Sequence, residues 1–214
     1  VIFHDYYADV PAAEVARFVD SQPLGRLVTV GADGTPHLGL YPFVHAPGLF
    51  DLHLVRLDEL AVDLQTRPRC VFEVDEVLGV IPSYWVSPEY AGSATAYHRT
   101  VIFECRAAVI EDPAAVSEQQ IRLLARYQPE GGFRAVTPSD PLYRAALDQL
   151  AAVRLTVERT RVKFKLAQNR PPEARRRIVQ ALRERGRPGD ARAADAVEWT
   201  LRASPAAAGG PPGS

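Results

Sequence analysis

The chain is poor in cysteine, poor in lysine and free of long apolar runs: in 214 residues it has only Cys70 and Cys105, and only Lys163 and Lys165. Two cysteines with no C-x-x-C spacing cannot make a disulfide framework. Both sit in apolar, strand-like surroundings, which predicts buried free thiols suited to a reducing cytoplasm. No apolar stretch reaches the length of a membrane span, so no transmembrane helix is expected. The opening VIFHDYYADVPAAE has no basic region leading into an apolar core, so no signal peptide is expected and the location expected is cytoplasmic. A net charge of −1 lacks the broadly basic surface of a general nucleic-acid binder. The sequence also holds no G-x-G-x-x-G, Walker A, H-E-x-x-H or G-x-S-x-G motif. Its histidines are His4, His37, His45, His53 and His98. None has cysteine or carboxylate partners at ligand spacing, so no metal site is expected. His37 and His53 fall on strands that could neighbour each other and share a ligand.

What is present is a soluble composition, 47% hydrophobic and 24% charged, in a length that suits one domain with a helical extension. The pattern predicts a short helix over 11–21, then a hairpin. LGRLVTV (24–30) and PHLGLYPFV (36–44) flank GADG (31–34), where glycine takes the turn. LFDLHLVR (49–56) alternates as a half-buried strand does. Asp58 is placed to cap a helix over 59–66, with Leu60 and Leu64 one turn apart. RCVFEVDE (69–76) and VLGVI (77–81) return to strand. PSYWVSPEYAGSATAY (82–97) has no period and reads as a long aromatic loop, of a length that is often functional. RTVIFECRAAVIED (99–112) is the clearest strand, and Pro113 opens a helix to about Tyr127. A short helix over 142–152 and one bent or two short strands over 153–166 follow. Arg170-Pro171-Pro172 breaks the chain before a helix over 173–185, with Ala174, Ile178, Ala181 and Leu182 as its apolar stripe. Asp190 is placed to cap a last helix to about Arg202, and SPAAAGGPPGS reads as a disordered tail. Six or more strands, mostly joined as hairpins, predict a mainly β antiparallel barrel with flanking helices.

Charge is concentrated at one end. Arg159 to Arg187 holds 11 Lys and Arg against Glu173 and Glu184, a local balance of +9 in a chain of −1. In the KFK strand Arg161, Lys163 and Lys165 share one face. Such a face suits a phosphate, since ammonium and guanidinium groups pair strongly with its oxygens; equally, edge-strand lysines discourage aggregation. For Arg175, Arg176 and Arg177 a solvated helix face is the expected role. Gln168 and Asn169 follow the strand, where amides hold a turn or read a polar ring edge. Tyr84, Trp85, Tyr90 and Tyr97 either wall a flat ligand or anchor their loop.

These residues together resemble a known family. KFKLAQNRPPEARRRIVQAL is similar to the KFKLSQN-containing end of the PaiB-like, FMN-binding split-barrel family, a pyridoxamine 5'-phosphate oxidase-like group. SYWVSPEY (83–90), CRAAVIEDPAAV (105–116), LHLVRLDEL (52–60) and the first hairpin resemble further stretches of it, in order, over nearly all of residues 1–186. The resemblance implies a six-stranded split β-barrel over 1–170, a C-terminal helical extension over 171–203 packed on it, and a tail over 204–214. It further implies a cytoplasmic homodimer with FMN at the subunit interface, possible use as a flavin-dependent oxidoreductase, and a cofactor set of Val28, Thr29, His37, His53, Arg56, Lys163, Gln168 and Asn169. The backbone at Val28 and Thr29 would lie along the flavin ring; Arg56 and Lys163 would meet phosphate or ribityl oxygens. Departures from the family pattern fall at Asp58, Ala96, Tyr97, Ile102 and Ala167. They leave a second reading, a transcriptional regulator or small-ligand protein without flavin chemistry. A third has haem in place of flavin, ligated by His37, His53 or His98.

Overall fold

The computed structural model describes residues 2–203; the tail expected over 204–214 lies outside the described residues. In chain order, α1 (Asp5–Ala8) and α2 (Ala12–Ser21) precede β1 (Gly25–Val30), β2 (Pro36–Tyr41), β3 (Val44–Ala46) and β4 (Leu49–Val55). Next come α3 (Glu59–Thr66), β5 (Arg69–Ile81), β6 (Thr95–Ile110), α4 (Pro113–Tyr127) and α5 (Pro141–Gln149). β7 (Leu150–Lys165), α6 (Pro172–Arg185) and α7 (Asp190–Ala203) complete it. The strands hydrogen-bond in the order β2-β1-β5-β6-β7-β4-β3, seven where six were expected. The extra strand arises at Pro42, which has no N–H to give a ladder and ends β2. β3 then starts at Val44 and pairs with β4 across the turn at Gly48, whose φ of 75° favours glycine.

Other boundaries also moved. The aromatic segment expected to be loop through 97 ends sooner, after 3-10 turns at Ser83–Trp85 and Ala91–Ser93. β6 starts at Thr95, so Tyr97 is a buried strand residue. α5 ends at Gln149, because Ala151, Ala152 and Val153 are buried in a strand that runs on unbroken to Lys165. The expected hairpin holds, with Thr29 opposite His37 and Val28 opposite Leu38. The expected cap of α3 also holds: Asp58 accepts from the Leu60 N–H at 2.9 Å.

The described chain divides into two compact units, residues 12–74 with 101–161, and residues 2–11 with 75–100 and 162–203. β5, β6 and β7 each give one part of their length to each unit.

The first unit is built around aromatic rings. Phe50 and Phe72, both 0% exposed, have ring centroids 4.8 Å apart, and Phe43 and Phe103 meet Phe50 at 5.6 and 4.7 Å. Burying each such ring contributes roughly 2–3 kcal/mol. Cys70 and Cys105 are buried free thiols, and burial pushes both up to about 12, so neither is a thiolate at neutral pH. α4 crosses β4, and its Gln119 amide donates to the Leu52 and Val153 carbonyls.

In the second unit α6 and α7 form a helical hairpin. Gly186, at φ 62°, ends α6, and Asp190 closes the connection by accepting from Arg185 Nε and the Arg187 N–H. Asp190 was expected to cap α7; its carboxylate points back to the preceding turn instead. The expected stripe of α6 is buried at Ala174, Ile178 and Leu182, joined by Val179 and, unexpectedly, Arg175. Arg175 donates to the Thr200 carbonyl and hydroxyl at 3.0 and 3.1 Å, so it is an interhelical tie and not part of a solvated face. Glu76 on β5 is buried between Arg99 of β6 and Arg192 of α7.

Candidate functional site

Of the eight candidate residues, Val28, Thr29, His37, His53 and Arg56 belong to the first unit, and Lys163, Gln168 and Asn169 to the second.

In the first unit the β1–β2 hairpin and α3 assemble a polar cluster. Strand alternation turns Gly25, Leu27 and Thr29 to the buried side of β1 and leaves Val28 half-buried on the other. Thr29 Oγ1 donates to Asp63 Oδ2 at 2.6 Å, and His37 Nδ1 lies 2.7 Å from the same oxygen. The Asp63 bond fixes Nδ1, so Nε2 is the outward nitrogen of His37, 3.7 Å from Glu59 Oε2. The bond to Asp63 is the main reason that the imidazole is held above its ordinary value. Burial alone would push the Asp63 carboxyl up, but the bonds from Thr29 and His37 outweigh it and hold the group below the usual carboxylate range. Asp63 was not singled out from sequence. Its signal was an acidic residue in the middle of the apolar positions Leu60, Ala61 and Leu64 of α3.

The other two candidates of this unit are differently placed. His53, on β4 opposite Ala152 of β7, has a buried Nδ1 with no hydrogen-bond partner among the described residues, and burial pushes its imidazole down. Arg56 is tied to backbone: its Nε donates to the Leu150 carbonyl at 2.9 Å and its Nη2 to the Glu111 carbonyl. Asp58, one of the departures from the family pattern, spends its carboxylate on the α3 cap and on Tyr41 Oη at 3.2 Å.

In the second unit the end of β7 carries the two lysines. Lys163 Nζ donates to the Ile2 carbonyl at 2.9 Å, and Lys165 Nζ donates to Thr95 Oγ1. Neither ammonium has a carboxylate partner among the described residues. Gln168 clamps the turn after β7, accepting from the Leu166 N–H at 2.7 Å and donating to the Phe164 carbonyl at 2.6 Å. The turn it clamps includes buried Ala167 at φ 68°, an unusual conformation for a residue with a Cβ. Asn169 is exposed. The four aromatics do not make one wall: Tyr84 and Tyr90 are exposed, Tyr97 is buried, and Trp85 lies under the Arg185 guanidinium at 4.7 Å. A groove of about 480 Å3 between α6 and α7, lined by Arg176, Val179, Arg183 and Glu198 among others, includes none of the candidate residues. Among the described residues, no group of three or more His, Cys, Asp or Glu is placed to hold a metal ion. No described helix is long and apolar enough to cross a membrane.

An antiparallel sheet of this order with flanking helices is a split β-barrel. The same fold recurs in a flavocytochrome, Anf3, from Azotobacter vinelandii, at 18% identity and a TM-score of 0.63 over 77% of this chain and 72% of that one. It recurs in an FAD and heme binding protein from Mycobacterium smegmatis, at 18% identity and a TM-score of 0.60 over 74% and 73%. A conserved hypothetical protein from Mycobacterium tuberculosis, Rv2991, is 25% identical over 77% of this chain and 91% of that one, with a TM-score of 0.55. The family model described as "Putative FMN-binding domain" matches residues 3–159, well over half of the chain, and the chain belongs to that family. No curated protein matches it. The family match ends before Lys163, so the lysine strand and its turn stand on their own geometry.

Proposed function

We propose that the protein is an FMN-binding split-barrel flavoprotein that works as a flavin-dependent oxidoreductase in the cytoplasm, as a homodimer. The observation that carries this reading is the FMN-binding family match over residues 3–159 on a split-barrel fold. The donor chemistry at the end of β7 fits the cofactor's phosphate: two ammoniums, on Lys163 and Lys165, whose described partners are neutral oxygens. FMN, when bound, supplies the electron transfer. The chain's own residues then do the holding. Lys163 meets phosphate oxygens, and the backbone at Val28 and Thr29 offers a flat strand to the ring. Arg56, with His53 three residues before it, is proposed for phosphate or ribityl oxygens, which needs its release from its backbone carbonyls. Gln168 shapes the turn that presents the lysine strand and Asn169. The test is the absorption spectrum of the purified protein together with calorimetric titration of FMN. A flavin spectrum, or saturable binding by the apoprotein, is expected; neither appearing would refute the reading.

One observation favours haem as a second reading. Among His37, His53 and His98, only His37 has its Nδ1 on a carboxylate with Nε2 turned outward. That is the arrangement that orients and strengthens an imidazole ligand. A Soret band in protein expressed with haem, lost in His37→Gln and kept in His53→Gln and His98→Gln, would support it.

A further inference from the structure

The sheet ends in two edge strands of different character. β3, at one end, is three residues long, and the N–H and carbonyl of Phe43 just before it are both bound to Tyr127 Oη, at 3.0 and 2.9 Å. A short edge with occupied backbone is protected from pairing with another chain. β2, at the other end, is six residues long, PHLGLY, and has no strand on its outer side among the described residues. It has no Lys, Arg, Asp or Glu to discourage pairing, and its Leu38 and Leu40 side chains are 62% and 52% exposed. The hairpin ladder fixes which of its amides face out. The Gly31 N–H donates to the Thr35 carbonyl at 2.8 Å, so Gly31 and Thr35 are a hydrogen-bonded pair. In an antiparallel ladder such pairs alternate with non-bonded ones. With Thr29 opposite His37, Leu27 opposite Gly39 and Gly25 opposite Tyr41, residues 37, 39 and 41 point their backbone groups at β1. Residues 36, 38 and 40 point theirs outward, and Pro36, which has no N–H, falls where the ladder loses nothing. Leu38 and Leu40 thus carry outward-facing N–H and C=O groups together with exposed apolar side chains, one on each side of Gly39.

We infer that β2 is a pairing edge for a second copy of this chain, joined antiparallel about a two-fold axis at Gly39. The strand is its own complement in that register. Leu38 of each copy faces Leu40 of the other, and each such pair exchanges both of its backbone hydrogen bonds. The two glycines meet at the axis in the closer, non-bonded pairing, with no Cβ to hold them apart. Within the chain a Cβ on Gly39 would also lie 2.3 Å from the Tyr41 ring. Pro36 and Pro42 oppose each other at both ends, and having no N–H they stop the ladder there. The leucines of both copies gather on one face of the joined sheet, with no charged side chain on either strand to repel its twin. A two-fold contact closes on itself, so it ends at two copies and does not grow into a fibre. Backbone and leucines together bury an area at the low end of specific interfaces, below about 1,200 Å2 in total, so the pair forms reversibly. This assigns a surface and a register to the homodimer proposed above, and it does not depend on flavin.

Sedimentation equilibrium of the full chain, with no cofactor added, measures the dimer constant, and amide exchange followed by NMR reads the edge. A reversible dimer is expected. Exchange at the Leu38 and Leu40 N–H should slow about tenfold once nine-tenths of the chains are paired, while the His37, Gly39 and Tyr41 amides, bonded to β1, stay protected at every concentration. Leu38→Lys combined with Leu40→Lys crowds ammonium groups at the junction and should weaken the dimer about a hundredfold or more. Leu142→Lys, at a leucine of α5 that is 60% exposed, should leave it unchanged. A monomer at every concentration overturns the inference and the homodimer with it, while FMN binding, measured separately by calorimetry, still decides the flavoprotein reading. A dimer whose Leu38 and Leu40 amides exchange fast, or one that survives the paired lysine substitutions, refutes the edge and leaves a homodimer through another face. A variant that fails to fold removes only its own arm, because the wild-type exchange decides alone.

Discussion

Replacing Asp63 by asparagine keeps the shape of the side chain and removes its charge, which isolates the electrostatic part of the Thr29–Asp63–His37 cluster. Two hydrogen bonds converge on Asp63 Oδ2, at 2.6 and 2.7 Å, and the carboxylate is only 6% exposed. A hydrogen bond to a charged group contributes about 1.5–3 kcal/mol and a neutral one about 0.5–1.5. Neutralising an acceptor of two bonds therefore costs roughly 2 kcal/mol, which in a chain of this length lowers Tm by about 4–8 °C.

The loss must depend on pH, and its sign follows from the two shifts. Asp63 is held below its ordinary value of 3.8, so its contribution is present above that value and is lost as pH falls through the lower folded one. His37 is held above its ordinary value of 6.5, so its contribution is complete below 6.5 and is lost as pH rises through the higher folded one. The difference in stability between wild type and Asp63→Asn should therefore be largest between about pH 4 and 6.5 and shrink on both sides. At alkaline pH the Thr29 bond keeps a residual difference. Urea denaturation at a series of pH values measures this, and NMR of the His37 ring should show its titration moving down in the variant. A difference that stays flat from pH 5 to 9, or a His37 titration unmoved by the substitution, would refute the coupling.

Three further outcomes follow from packing. Arg175→Ala removes both ties to Thr200 on α7 and should cost about 2–3 kcal/mol, whereas Arg177→Ala on the exposed side should stay within about 0.5, as chemical denaturation would show. Gly25→Ala would put a Cβ 2.3 Å from the Phe72 ring, which is fully buried and cannot swing away, so a loss of about 1–3 kcal/mol or more is expected in the same assay. Phe50→Ala empties the centre of the aromatic core and should lower stability by about 3–5 kcal/mol, with a Tm unchanged within error counting against that ring's central place.

The elements were legible where a local pattern decided them. The hairpin around GADG, the Asp58 cap and the helix opened by Pro113 depend on residues within a few positions of one another, and each falls where the sequence placed it. What was not legible depended on distant partners. β6 takes in Thr95 to His98, which carry no strand period, because they pair along neighbouring strands of the sheet. Arg175 looked like its neighbours Arg176 and Arg177 until α7 brought Thr200 to it. Asp63 had no sequence motif because its meaning comes from two strands more than 20 residues upstream. His37 and Thr29 were both candidates, yet their link through one carboxylate could be found only in three dimensions.

The positive segment from Arg159 to Arg187 shows why charge density alone does not locate a site. Most of its arginines are answered by acids or by structure. Arg159 and Arg161 share Glu104, Arg176 pairs with Glu173, Arg183 with Glu198, Arg185 with Asp190, and Arg175 is buried against Thr200. The exposed pairs among these are worth about 0–1 kcal/mol each and fade with salt. Lys163 and Lys165 differ in kind. Their described partners are a carbonyl and a hydroxyl, and burial first and then their charges push the His98 imidazole down. A helix of paired arginines gains little from an arriving anion, because that anion must displace a carboxylate already in place. A strand of lysines set against neutral oxygens gains the whole of each contact. The chemistry of the partners, more than the count of charges, therefore separates the lysines at the end of β7 from α6, whose arginines are taken up in pairing and packing.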